Sequence, residues 1–421
     1  MAIIKPFKAL RFTKKAGELS TCVCPPYDII PENYRLELLN RNPYNIVRLE
    51  LPKGEDPYNE AGSLFSNWID NSILAEDDKE GIYVYEQEFN VKGETKKIRG
   101  IITLVKIQEF SDGIVLPHEE TLSKAKTDRF NLMKACNSNF SQIYSMFLDP
   151  ESTVKNILDP LTQDMPTAEF IGDDSNTHKL WTITDTSSIK KLQHFFSDKQ
   201  LYIADGHHRY ETALNYKKFL AENGKLTDQS KANYVMMFLI DIDDPGLVIF
   251  PTHRLVRDLP DFDENQIIDG INDAFEVEKR FDVNNIEKNL DSIDKRAYAF
   301  YTGKDYYYLL TLKDDSLLNT MVSDRSEAYR SLDVTALHSL ILERVMKIDK
   351  ENMAKQINLT YTRNYNEAIE SVVEQKFQCS FILKSTKIHQ IKNVAAANDR
   401  MPQKSTYFYP KLITGMVMNK L

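Results

Sequence analysis

The chain has 421 residues, 42% of them hydrophobic and 27% charged, with 53 Lys and Arg against 62 Asp and Glu for a net charge of −9. This balance excludes a wholly disordered chain, gives two or three domains enough apolar residues for their cores, and argues against broad attraction to nucleic acid or anionic lipid. Four cysteines in this length make no disulfide framework. Cys22 and Cys24 lack metal-knuckle spacing, and Cys136 and Cys379 read as isolated core thiols. The first residues carry no apolar run long enough for a signal peptide, and no segment reaches membrane-spanning length, so the cytoplasm is the expected address.

In chain order, 3–30 reads as loop-rich and ends where Pro25 and Pro26 fix the direction of Tyr27 and Asp28. Pro31 opens a short helix, and 46–51 reads as a strand. Leu64, Phe65, Trp68 and Ile69 share one face of a helix over 61–73. Alternation over 81–89 and 98–107, around Lys92 and Gly93, predicts a hairpin.

A strand over 114–121 then delivers His118, Glu119 and Glu120, and a polar helix follows with Lys124, Asp128 and Arg129. Either glutamate can accept a proton or help hold a divalent ion, while Lys124 and Arg129 can reach phosphate oxygens. A solvated face with a Lys124–Asp128 pair at i,i+4 fits the same spacing equally well. A strand over 142–148 leads to Asp149 and Pro150, which divide a first lobe (1–148) from a second (149–421). Next come a helix over 151–161, strands over 168–172 and 179–183, and a helix over 187–196.

The stretch from 201 to 220 organises the rest. A short apolar strand over 201–204 is broken by Asp205 and Gly206. A helix follows from about Tyr210, with Ala213, Tyr216 and Leu220 on one face. His207, His208 and Arg209 stand at the join. A tight turn into a helix N-terminus offers backbone N–H groups and the positive end of a dipole, which suits an anion. Arg209 adds a forked donor, and the histidines can donate hydrogen bonds or move protons. The plainer alternative is a surface turn whose histidines cap the helix and pair with Asp205.

Beyond it, 234–240 is apolar throughout and reads as a strand buried on both faces. A strand over 247–254 presents His253 and Arg254 at its end. The order across 261–312 is helix, strand, helix, strand, strand, with Tyr306, Tyr307 and Tyr308 as sheet packing. A helix over 332–342 takes Asp333 as N-cap and His338 as a core histidine. Strands over 357–362 and 379–383 flank another helix. In the tail over 400–412, Lys404, Ser405, Thr406 and Lys411 stand among aromatics and prolines. Such a segment can close over an anionic ligand or dock as a terminal strand. The expected class is α+β, with mixed sheets and flanking helices.

Adjacent histidines point in different directions and cannot easily share one zinc ion, and no His-Glu-x-x-His spacing, Walker loop or dinucleotide glycine fingerprint occurs. Phosphoryl transfer fits better, since it asks for positioning, cations and a base. Pro6 to Leu10, Pro25 to Asp28, His118 to Thr121 with Asp128 and Arg129, Ala204 to Arg209, Pro251 to Arg254 and Met401 to Lys411 resemble the signature blocks of the family called domain of unknown function 1015. Asp205 to Arg209 is also similar to the phosphate-binding turn of the ParB and sulfiredoxin-like superfamily, one branch of which phosphorylates free serine.

Together with the turn's chemistry, the second resemblance implies a small-molecule kinase, with free L-serine as acceptor and ATP, ADP or pyrophosphate as donor, accompanied by Mg2+. Gly206, His208 and Arg209 would bind donor phosphates, and Lys404, Ser405 and Thr406 would close over them. Asp205 would orient a histidine or the acceptor hydroxyl, and Glu119 or His207 would serve as base. His118, Arg129, His253 and Arg254 are further candidates. A small-molecule substrate is expected, without nucleic acid or membrane. A nucleotide-binding switch and a ParB-like phosphodiesterase or nuclease are the alternatives.

Overall fold

The computed structural model describes residues 1–117, 119, 123–397 and 399–421, and of 123–126 the backbone alone. The chain makes two compact units. One comprises Met1–Pro117, the described residues from 123 to Leu247, and Pro410–Leu421; the other comprises Glu119 and Val248–Tyr409.

The first unit is built on a mixed sheet, nine-stranded among the described residues. Its order is Val115–Pro117, Leu201–Asp205, Ile143–Phe147, Tyr234–Asp241, Glu94–Lys106, Ile82–Val91, Thr177–Ile183 and Ala168–Ile171, with Ile4–Lys5 also paired to Glu94–Lys106. Leu201–Asp205 runs parallel to Val115–Pro117 and antiparallel to Ile143–Phe147. Tyr234–Asp241 is central, and Val235 to Ile240 are all buried, as an unbroken apolar run requires of a strand covered on both faces. Ile203, Leu239 and Ile101 pack with Leu192 and Phe196 of helix Thr186–Phe196 and with Tyr210 and Ala213 of helix His207–Glu222. Each such aliphatic burial contributes about 1.5–3 kcal/mol.

The second unit carries an antiparallel sheet in the order Phe275–Arg280, Tyr307–Leu312, Ala297–Tyr301, Cys379–Ile382, His253–Val256 and Leu359–Thr362. Phe300, Leu310 and Phe381 pack on Leu337, Leu340 and Ile341 on one face. On the other, Ala299, Leu309 and Ile382 pack on Ile286, Leu290 and Val372.

The fold class is α+β, and most elements stand where the sequence places them, with the following differences. The 46–51 run is a helix, Val47–Glu50, because Asn45 Oδ1 accepts from the Val47 N–H while its amide grips the Thr21 and Val23 carbonyls. That local side-chain turn overrides strand propensity. The lobe boundary expected at 148 falls inside the first sheet, since Ile143–Phe147 pairs with Tyr234–Asp241. The 247–254 run is two strands, Val248–Phe250 and His253–Val256, broken at Pro251, which has no N–H for a ladder. Asp333 is the first residue of its helix; Leu332, only 1% exposed, is drawn into the core and takes the N-cap place. Among the described residues, no helix is long and apolar enough to cross a membrane.

Candidate functional site

Strand Leu201–Asp205 ends in a bulge: Ile203 lies opposite Ser145 and Asp205 opposite Tyr144, leaving Ala204 as the extra residue. A bulge re-aims the side chains that follow it. Asp205 emerges 3.2 Å from Lys411 Nζ and 3.5 Å from Arg209 Nη2. Gly206 then takes φ 90° and ψ 27°, a left-handed conformation that glycine adopts without penalty. A Cβ there would stand 2.8 Å from Arg209 Nε and 2.9 Å from Nη2. The backbone angle therefore demands glycine, and a Cβ would also force the Arg209 guanidinium to shift.

Helix His207–Glu222 starts directly after it, three residues earlier than the sequence suggests, which places both histidines and Arg209 in its first turn. No side chain caps this N-terminus, and no acidic residue lies in its first turn. The dipole's positive end thus favours an outside anion. Arg209 is less open than the sequence implies: Nη1 donates to the Gln142 carbonyl at 2.6 Å, and Nη2 faces Asp205. Its Nε is buried with no hydrogen-bond acceptor. Burial disfavours ionisation of Asp205, yet Lys411 and Arg209 overcome it and hold the carboxyl well below the usual carboxylate range. His207 is 9% exposed and adds to that pull.

Arg129 belongs to the same unit, but it is neutralised rather than presented. Its Nε and Nη2 lie 2.8 and 2.6 Å from Asp128, its Nη1 3.5 Å from the buried Glu50, and its guanidinium 4.2 Å from the Tyr27 ring. Glu50 also accepts from Ser141 at 3.2 Å. Arg129 and Arg209 both line a cavity of about 40 Å³ beside the Thr212 hydroxyl, which is buried without a partner. That is room for a water. Burial pushes the Tyr27 phenol up to about 12, against the pull of Arg129 and Arg209. Sequence reasoning missed Glu50 because a strand reading of 46–51 sends its carboxylate to solvent, and it left Lys411 among the tail's cations. The turn's chemistry gives no hint of either.

The remaining candidates belong to the second unit. Glu119 Oε1 accepts from the Thr406 N–H at 2.9 Å and hydroxyl at 2.7 Å, so this oxygen fastens the tail. Ser405 is buried and its hydroxyl donates to the Pro402 carbonyl. Lys404 sits at φ 54°, with its ammonium lacking an acceptor among the described residues and its carbonyl accepting from Arg254 at 3.1 Å. His253 and Arg254, expected at an exposed strand end, are each 1% exposed. His253 Nδ1 accepts from the Leu383 N–H, and burial lowers its pKa to about 4. Arg254 donates to the Thr252 carbonyl and to His338 Nε2. His118, Glu120 and the Lys124 side chain lie outside the described residues.

The sequence model of the family described as "Protein of unknown function (DUF1015)" matches residues 4–335. No curated protein matches the chain. Among solved structures, a conserved hypothetical protein from Pyrococcus furiosus is 12% identical, with a TM-score of 0.38 over 76% of this chain and 95% of that one. A free serine kinase in complex with AMP is 10% identical, with a TM-score of 0.40 over 76% and 91%. SbnI with C-terminal truncation from Staphylococcus aureus is also 10% identical, with a TM-score of 0.38 over 75% and 86%. At these scores the likenesses are distant.

Proposed function

Because the chain belongs to the DUF1015 family, whose description names no reaction, we propose a function from the turn itself: a nucleotide- or polyphosphate-dependent kinase acting on a small hydroxylated metabolite. The observation that carries this reading is Gly206, left-handed at φ 90° between a strand end and an uncapped helix, with the Arg209 guanidinium against it and Nε lacking an acceptor. An orphaned buried donor beside a left-handed glycine turn fits a phosphate oxygen. Each charge-assisted hydrogen bond to it contributes about 1.5–3 kcal/mol.

The resemblance of Asp205 to Arg209 to the free-serine kinase turn supplies L-serine as the leading acceptor. In the reaction, the serine Oγ forms a bond to the terminal phosphorus of the donor while the phosphoanhydride P–O bond breaks and departs with the remaining phosphates. His207, in its neutral form, takes the hydroxyl proton. Asp205, held ionised by Lys411 and Arg209, fixes the cations that border the donor. Among the described residues, no group of three or more His, Cys, Asp or Glu side chains is placed to hold a metal. Mg2+ would therefore arrive on the donor phosphates, an arrangement that needs only one or two protein carboxylates.

The second reading, a nucleotide-binding switch without chemistry, is favoured by one observation: Arg209 already donates to Gln142 and faces Asp205. The test is phosphoserine formation, followed by mass spectrometry, from L-serine and Mg2+ with ATP, ADP or pyrophosphate in turn. Phosphoserine that disappears in Gly206→Val supports the kinase. Nucleotide binding without product supports the switch. A chain that binds none of the three donors overturns both.

A further inference from the structure

The second unit holds a cavity of about 100 Å³ that the proposed phosphate chemistry leaves unused. Met321, Val322 and Met353 give it an apolar wall, and Pro402 and Gln403 of the tail block border it. His338 and Ser339 enter it from the segment Leu337–Glu343, which is wound as a π-helix. Such wide turns are uncommon and recur where a side chain must be re-aimed for function.

The state of His338 follows from its neighbour. Arg254 Nε and Nη2 lie 3.2 and 3.1 Å from His338 Nε2. A guanidinium can only donate, so Nε2 accepts and the ring proton resides on Nδ1. Burial and the Arg254 charge hold the imidazole neutral, with its pKa well below the ordinary value. The Nδ1–H finds no acceptor among the described residues. The Tyr361 hydroxyl borders the same cavity and is buried without a partner. Each unmet buried donor costs about 1–3 kcal/mol. The buried Tyr361 hydroxyl, on a cavity that His338 also lines, calls for an acceptor.

Charge decides what kind of acceptor. Arg325 bordering the cavity is paired with Asp399 at 3.0 Å, and Lys350 offsets the half-buried Glu343, whose carboxyl burial pushes up. Asp324, the other acid on the lining, is exposed to water. Arg254 differs. It is 1% exposed, stands 5.4 Å over the Tyr361 ring, and has no carboxylate within ion-pair distance among the described residues, Glu119 acting on it only from further away. Its positive charge therefore acts on the cavity through His338 and Tyr361.

We propose that this cavity is a second ligand site, built for the carboxylate of a small organic acid. The carboxylate accepts from His338 Nδ1–H and the Tyr361 hydroxyl, and the apolar body lies on Met321, Val322 and Met353. The site is independent of the Gly206 turn and stands whether or not the chain is a kinase.

The probe is isovalerate, with 3-methylbutan-1-ol as its uncharged counterpart, titrated into the full chain by calorimetry. Isovalerate is expected to saturate in the millimolar range and to bind about tenfold more tightly than the alcohol, the difference one charge-assisted bond makes. Tyr361→Phe is expected to weaken isovalerate about tenfold while leaving the melting temperature unchanged or higher, since the lost hydroxyl had no partner. In the unaltered protein, the 15N resonance of His338 Nδ1–H is expected to shift on adding isovalerate. Absence of saturable binding, an alcohol that binds as tightly, or a His338 resonance that stays still overturns the site.

Discussion

Each unit buries an arginine from a signature block, and the two are handled in opposite ways. Arg129 in the first unit is held by two carboxylates, Asp128 and Glu50, and stacks on Tyr27. Burial alone would lower its pKa, but these partners outweigh that and raise it. Arg254 in the second unit is held by two carbonyls and an imidazole, so burial prevails and its pKa falls to about 10. A buried charge with its own counter-ion is a strut; one satisfied by neutral acceptors keeps its field for something else. The partners set the role, and residue type alone does not.

The largest expected effect separates strut from source. Arg129→Met strands Glu50, 3% exposed, without its cation. It should cost about 3–5 kcal/mol in urea unfolding, with a good part recovered in Arg129→Met combined with Glu50→Gln. Arg254→Met strands only neutral acceptors and should cost less, about 1–3 kcal/mol. An Arg254→Met chain less stable than Arg129→Met would break the comparison.

Acid should then divide the units. In the second, the folded pKa of His253 is lowered to about 4 and that of His338 lies well below its ordinary value, so the unfolded chain binds protons first. Stability from both is present above about pH 6.5 and declines as pH falls toward 4, by up to about 1.4 kcal/mol per pH unit per group. In the first unit, the depressed Asp205 carboxyl keeps its contribution until pH falls below about 4. Asp244, raised to about 6 by burial, makes the folded chain the better proton binder between about 6 and 4, so this unit gains there. Hydrogen exchange at pH 7 and 5 should show lost protection in Ala297–Tyr301 and Cys379–Ile382 but not in Tyr234–Asp241. Equal losses in all three strands would contradict the assignment.

Much of this architecture is legible in the sequence, because periodicity reports burial directly. The Tyr234–Asp241 strand, the hairpin of Ile82–Val91 with Glu94–Lys106, and the strand–Gly–helix around Gly206 follow from local pattern. The partners of the charged residues do not. Lys411 reaches Asp205, Glu50 reaches Arg129, and Arg254 reaches His338 across long stretches of chain. No local pattern encodes those meetings. His253 and Arg254 show the limit most sharply: the alternation that marks their strand says nothing of which neighbouring strands will cover its end. The sequence makes His338 a core histidine, and it is buried; its proton position required knowing that a guanidinium stands at Nε2.

The smallest effect concerns the two left-handed positions in these blocks, Gly206 at φ 90° and Lys404 at φ 54°. Gly206→Ala should cost about 1–3 kcal/mol, since it adds a Cβ in an unfavourable conformation and forces the Arg209 guanidinium away. Lys404→Gly relieves a Cβ in the same region but gives the unfolded chain more freedom, and these offset to within about 0.5 kcal/mol. The Lys404 carbonyl still has to meet Arg254, so its backbone angle is imposed from outside whichever side chain is present. At Gly206 the side-chain packing adds to the angle. If both substitutions shift the unfolding midpoint equally, backbone conformation accounts for both glycine and lysine, and the contact between Gly206 and Arg209 loses its claim to shape the anion turn.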